Sequence, residues 1–344
     1  MMNQLANIFL TVTTSRRTWQ RFLIAAGIHD FSESELSVID ETIAIFDGEQ
    51  NMLATGSLAG NVMKYVATNQ TDAAYFNQLV SELENRLSQR GISPYFVFTK
   101  PEYAKKFRYI GFQTLSQTDD GVLLEKGYPT ISQFLKQCPK GDPAKQNGAI
   151  VMNANPFTLG HQQLVEKAAS ESDHVYLFVV SEDCSLFSSE ERFRLVRQGV
   201  AHLPNVTVLP TAAYMVSYTT FPAYFLSGDT ELVSYQAQLD ARVFKNWFVP
   251  YFAISSRYVG EEPFSPVTHR YNQLLVEELQ PEVAVKVIPR HKNENKVISA
   301  TLVRQYLSDN RLQEMKRLVP ETTYAYIITN QLAIKNRMKD KKWK

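Results

Sequence analysis

From residue 149 onward, short unbroken apolar runs alternate with segments whose apolar residues return every three or four positions. Ala149-Ile150-Val151-Met152 is an apolar run of the kind that predicts a buried parallel strand. Leu164, Val165, Ala168 and Ala169 fall on one face of a helix. His174 to Val180, rich in Val, Tyr and Phe, predicts the next strand. Ser188 to Glu191 is a capping box that opens a helix carrying Phe193, Leu195 and Val196. Val206 to Leu209 reads as a third strand. After a long helical middle, Tyr258-Val259-Gly260 and Val283 to Ile288 predict two more. Strand-then-helix order repeated in this way implies an α/β unit with a doubly wound parallel sheet. Ligands of such sheets lie at the carboxyl ends of the strands, where the strand order reverses.

The first half is patterned less regularly. Ile39 to Phe46 and Val62 to Val66 predict strands. Phe76, Leu79, Val80, Leu83 and Leu87 recur at helical spacing within Phe76 to Arg90, and Gly91 closes that helix. Tyr95-Phe96-Val97-Phe98 predicts another strand. Between the halves, Cys138 to Gly148 holds two Pro and two Gly among polar residues and reads as a linker. The expected organisation is a first domain over 1–138, a linker over 139–148, a second domain over 149–334, and a basic tail over 335–344 that is solvated and frayed.

Composition adds mainly exclusions. A chain of 344 residues is too long for one ordinary core, in keeping with two domains. The net charge of +1 provides no whole-protein field for nucleic acid or a membrane surface. Two cysteines, Cys138 and Cys184, make neither a disulfide framework nor a metal-ligand spacing, which fits a reducing compartment. The apolar stretch Asn7 to Leu10 is short and its arginines, Arg16 and Arg17, follow it, unlike a signal peptide. No run approaches about 18 apolar residues. A cytoplasmic location is expected. No pair among the six His has metal-ligand spacing on a predicted helix, so no protein-held catalytic metal is expected.

The candidate chemistry lies just after the Ala149–Met152 run. Asn153 and Asn155 are polar, Pro156 turns the chain, Phe157 and Thr158 follow, Gly160 permits close backbone approach, and a helix starts near His161. Free N–H groups and the helix dipole at such a start attract phosphates. His161 and the Thr158 hydroxyl add donors on the same side of the turn. Glu182 and Asp183, at the end of the next strand, read either as metal or substrate ligands or as turn formers.

Thr158-Leu159-Gly160-His161 resembles the (H/T)xGH signature of the nucleotidyltransferase superfamily. Ile298-Ser299-Ala300-Thr301-Leu302-Val303-Arg304 resembles its second signature, ISxTxxR, also at a predicted helix start. The resemblance implies that the first motif holds the triphosphate of ATP, with His161 stabilising the transition state, and that Ser299, Thr301 and Arg304 reach the β- and γ-phosphates. Mg²⁺ would arrive with ATP. Gly260, Glu261, Lys292 and Lys296 are further candidates; the bland reading of the two lysines is solvated loop charge.

The stretch from Met152 to Ala169, together with Val180 to Asp183 and Phe187, Thr219 to Leu226, Tyr258 to Phe264, and Val319 to Tyr324, resembles the citrate lyase ligase family. That resemblance implies use of ATP and acetate to acetylate the thiol of a phosphoribosyl-dephospho-coenzyme A arm on the citrate lyase acyl carrier subunit. It further implies an acetyl-adenylate intermediate and release of AMP and pyrophosphate. The first domain resembles a GNAT-like acetyltransferase fold through Phe98 to Tyr103 and Phe107 to Phe112. Its expected pyrophosphate loop, Ala67 to Tyr75, contains no Gly and carries Asp72, so a structural or carrier-docking role is expected there rather than coenzyme binding. Two alternatives stand beside this reading. One is an adenylyltransferase for a small phosphate ester such as phosphopantetheine or nicotinamide mononucleotide; the other is a non-catalytic carrier-binding protein.

Overall fold

The computed structural model describes residues 3–29, 31–69, 73–183, 185–215, 237–261, 266–289, 292–293 and 296–339. The chain divides into two compact units, one centred on Met1–Gln133 and the other on Phe134–Thr219 with Asp240–Lys344. The expected segments at 219–226 and 262–264, residues 70–72 of the Gly-free loop, and Cys184 lie wholly or mostly outside the described residues.

The first unit is a seven-stranded sheet. Its strands are β1 (Gln4–Asn7), β2 (Glu41–Phe46), β3 (Met52–Ala59), β4 (Val62–Thr68), β5 (Tyr95–Thr99), β6 (Gln113–Gln117) and β7 (Val122–Lys126), in the order β1-β2-β3-β4-β5-β7-β6. All neighbours are antiparallel except β4 and β5, which run parallel with Val62 opposite Phe96. This mixed sheet gives the first unit an α+β layout, as expected for the first domain. Helix α1 (Thr13–Ala25) covers one face through Trp19 and Leu23, and the Trp19 indole donates to Thr55 Oγ1 at 3.1 Å. After the short α2 (Glu33–Ser37), α3 (Ala73–Gln89) packs Phe76, Leu79, Val80, Leu83 and Leu87 on the opposite face. Gly56 makes room for α3, since a Cβ there would meet Leu83 at 2.8 Å. Helices α4 (Pro101–Tyr109) and α5 (Ile131–Lys136) follow.

The second unit is built on five strands, β8 (Asn147–Met152), β9 (His174–Val179), β10 (Val206–Pro210), β11 (Ile254–Gly260) and β12 (Ala284–Ile288). Every pairing is parallel and the order is β10-β9-β8-β11-β12. The chain moves outward from β8 through β9 to β10, then returns to add β11 and β12 on the other side. The strand order therefore reverses beside β8. Helices α6 (Leu159–Glu171) and α7 (Ser189–Gly199) share a core with β8 and β9, where Val165, Ala168, Leu195 and Val196 meet Ile150, Met152 and Leu177. A separate aromatic cluster, Phe178 with Phe248 and Phe252 at 5.3 and 5.2 Å, involves a π-helical turn (Phe244–Phe248) and α8 (Val249–Phe252). The later helices are α9 (Pro266–Leu279), α10 (Ala300–Ser308), α11 (Leu312–Lys316), α12 (Glu321–Thr329) and α13 (Gln331–Lys339). No described helix is long and apolar enough to cross a membrane.

Two expectations are corrected. The segment read as a linker is packed rather than solvated: Gly141 lies against Phe252, where a Cβ would come within 1.9 Å of its carbonyl oxygen. Asn147 Nδ2 donates to the carbonyls of Asp142, Phe252 and Ala253, so β8 begins two residues before Ala149. The start of the basic tail is not frayed but helical through Lys339, because Arg337 donates through Nη1 and Nη2 to Glu191 at 2.7 and 2.9 Å. Burial alone would raise the Glu191 carboxyl, but the bonds from Arg337 and Tyr326 outweigh it and hold the group below the usual carboxylate range.

Candidate active site

The turn after β8 is held from three directions. Ala154 is left-handed at φ 51°, a conformation that costs a residue with a Cβ about 1 kcal/mol. Such a residue persists where its neighbours over-determine it. On one side, Asn155 Oδ1 accepts from the Phe187 N–H at 3.1 Å. On another, Asn153 Nδ2 donates to Ser185 Oγ at 3.1 Å. The third hold is Arg192 of α7, which is fully buried. It donates to the carbonyl and side-chain oxygens of Asn153 at 3.0 and 2.7 Å, and to the carbonyls of Val180, Phe187 and Glu182.

Helix α6 then starts with a reciprocal cap. Thr158 Oγ1 accepts from the His161 N–H at 3.3 Å, and His161 Nδ1 accepts from the Thr158 N–H at 3.0 Å. A ring nitrogen that accepts a backbone N–H leaves the proton of neutral imidazole on Nε2, so the cap sets the tautomer as well as the helix start. Behind the imidazole, Phe157 stacks at 5.8 Å and 17°. The Phe157 ring in turn abuts Gly199, where a Cβ would clash at 2.4 Å.

The second signature starts α10 beside the first. Ser299 caps it, accepting from the Leu302 N–H at 3.1 Å. Arg304 Nη1 donates to the Asn155 carbonyl at 2.7 Å and Nη2 to Thr301 Oγ1 at 3.1 Å. One guanidinium thus ties together two motifs 149 residues apart. Burial lowers the Arg304 pKa from its ordinary value. Gly160 lies against the same element; a Cβ there would sit 3.5 Å from the Ile298 carbonyl oxygen, an ordinary contact. Protein packing alone does not require glycine at 160.

A cleft of about 600 Å³ opens at the carboxyl ends of β8 and β11. Asn153, Asn155, Thr158, Gly160, His161, Gly260, Ser299, Thr301 and Arg304 all line it. Phe157 does not: at zero exposure it belongs to the core and backs the His161 ring, so its expected contact with nucleotide is corrected. Pro156 and Glu261 are also outside the lining; the Glu261 N–H donates to the Ile288 carbonyl. Thr158 is only 2% exposed and its hydroxyl is engaged in the cap, which gives it the task of orienting His161. The Lys292 and Lys296 side chains lie outside the described residues. No group of three His, Cys, Asp or Glu among the described residues could hold a metal ion.

Sequence reasoning missed Arg192, whose only signal was an arginine on the otherwise apolar face of α7, and a polar trio on the cleft wall, the buried Asp240 and Arg257 with the half-buried Tyr271.

A parallel sheet with two capped helix starts meeting at its reversal point defines a nucleotidyltransferase-type unit. Residues 147–327 match the model of the citrate lyase ligase C-terminal domain. The [citrate [pro-3S]-lyase] ligase of Klebsiella pneumoniae is 34% identical over 91% of this chain and 92% of its own length. That of Escherichia coli K12 is 35% identical over 88% of this chain and 89% of its own. Phosphopantetheine adenylyltransferase of Corynebacterium efficiens is 39% identical over 69 residues, 19% of this chain and 43% of that protein. The chain belongs to the citrate lyase ligase family, and is an enzyme of the ligase class.

Proposed function

We propose that the chain uses ATP and acetate to acetylate the prosthetic-group thiol of a citrate lyase acyl carrier subunit, releasing AMP and pyrophosphate. The observation that carries this reading is the Arg304 bridge, which brings both signatures to one cleft. In the first step an acetate oxygen attacks the α-phosphorus, the bond to the β-phosphate oxygen breaks, and pyrophosphate leaves. Charge builds on the non-bridging oxygens, where positioned donors suffice. The His161 Nε2–H and the N-terminus of α6 supply them. The N-terminus of α10, with Ser299, Thr301 and Arg304, suits the departing phosphates. Mg²⁺ comes with the nucleotide, held largely by phosphates and water. In the second step the carrier thiol gives up its proton to water, its sulfur bonds to the acyl carbon, the acyl carbon–oxygen bond breaks, and AMP departs.

The test is a product assay with ATP, acetate and deacetylated citrate lyase. AMP and pyrophosphate dependent on both acceptors support the reading. A dinucleotide formed from phosphopantetheine or nicotinamide mononucleotide would replace it with an adenylyltransferase, and no turnover of ATP would leave a carrier-binding protein.

Arg304→Lys is expected to lower kcat/KM for ATP by roughly 10- to 100-fold, since lysine keeps the charge but cannot bond Asn155 and Thr301 while facing phosphate. Steady-state pyrophosphate release checks this, and unchanged kinetics would remove Arg304 from the site.

A further inference from the structure

The wall of the same cleft carries a polar cluster that neither signature explains. Arg257 sits in the middle of β11, opposite Ala149 of β8, and is 3% exposed. Asp240 is 7% exposed, and both line the cleft with Tyr271. The Tyr271 hydroxyl donates to Asp240 Oδ2 at 2.7 Å. The Arg257 guanidinium lies over the Phe244 ring at 4.4 Å, which fixes its plane. Yet Arg257 Nε and Nη1, and Asp240 Oδ1, have no hydrogen-bond partner. Unsatisfied donors on a buried cation are costly, so such an arrangement calls for an anion that completes it.

The surroundings restrict that anion. Val151, Val180, Met215 and Val259 line the same cleft and offer an apolar wall. Asp240 beside the guanidinium disfavours a polyphosphate, which has both capped helix starts at its disposal instead. A small monoanion with an alkyl group satisfies both surfaces: its oxygens take the N–H groups of Arg257 and its methyl takes the apolar wall. We infer that Arg257, oriented by Phe244 and set beside the Asp240–Tyr271 pair, binds the carboxylate of the small acid that this ligase activates. The inference rests on the ATP-and-acetate reading above and assigns a subsite within it. Burial pushes the Asp240 carboxyl up to about 6, against the lowering effects of Tyr271 and Arg257. A proton gained there would turn Oδ1 from a repelling oxygen into a further donor to the acid.

The experiment is acetate-dependent exchange of pyrophosphate into ATP by the full chain, with sodium acetate varied, beside titration with a non-hydrolysable ATP analogue. Arg257→Gln should raise the KM for acetate by roughly 10- to 100-fold, the worth of a hydrogen bond to a charged group, and leave analogue affinity and circular dichroism unchanged. High acetate should restore most of the turnover. Arg257→Lys should fall between wild type and Arg257→Gln, and it decides the matter if the glutamine variant does not fold. An unchanged acetate KM in either folded variant overturns the subsite. So does lost analogue affinity at unchanged acetate KM, which would give Arg257 to the nucleotide. A wild-type chain with no acetate-dependent exchange would instead refute the ATP-and-acetate reading itself.

Discussion

Replacing His161 with alanine will lower the rate of acetate-dependent pyrophosphate release by about 10²–10³-fold, the loss expected for one donor aimed at transition-state charge. The size of the effect follows from the cap. Nδ1 is occupied by the Thr158 N–H, so Nε2 carries the proton of the neutral ring. The ring is set from behind by Phe157, which Gly199 allows close approach. Alanine also forfeits half of the reciprocal cap, at about 1 kcal/mol. The unfolding midpoint should therefore fall by only a few degrees, about 2–4 °C for a unit of this size. Turnover and thermal unfolding measured on the same preparation separate the two effects. A variant that keeps near-normal turnover would take His161 out of the chemistry.

The second large effect is expected at a residue that touches no substrate. Arg192→Met keeps length and apolar contact but leaves the carbonyls of Asn153, Val180, Phe187 and Glu182 buried without their donor. Leaving four buried carbonyls without their charged donor costs about 3–5 kcal/mol, at about 1 kcal/mol or more each. At 2–4 °C per kcal/mol, the midpoint should drop by roughly 10 °C. Activity should be poor even well below that midpoint, because Arg192 is also what holds Asn153 ahead of the left-handed Ala154. Chemical denaturation with parallel rate measurements tests this. A midpoint within a degree or two of wild type would mean that the turn holds itself.

What the sequence disclosed and what it hid divide along a physical line. The helix starts at Ser188 and Ser299 were legible, and that at Thr158 was read only a few residues late, near His161, because a cap is made within four residues. The parallel strands were legible because β8 and β9 hold unbroken apolar runs and β10 and β12 are rich in β-branched residues despite Thr207 and Lys286, although β11 was recognised only in its last three residues; Ser255, Ser256 and Arg257 interrupt the pattern. Strand β3 went unread because both its faces are covered and Thr55, Gly56 and Ser57 erase any alternation. Within the site, the two signatures announced themselves as strings. Arg192 and Arg257 did not, since a buried arginine looks like any surface arginine until its acceptors, or the lack of them, are placed around it. Phe157 was misjudged for the opposite reason: adjacency in sequence to the turn that lines the cleft says nothing about which way a ring points.

The Arg304–Asn155 bond also sets a timetable. A ribosome synthesises β8 and its turn early, yet the residue that closes the site comes 149 positions later. All five parallel strands precede Ser299, so a nascent chain holds every strand of the sheet while one wall of its cleft is still unmade. Closing contacts so distant along the chain carries a loop-entropy cost that slows folding. Competence to bind ATP would thus wait for Arg304, and a chain cut short after β12 would also lack Val303, Leu307, Met315 and Ile327 of the core around β8 and β9.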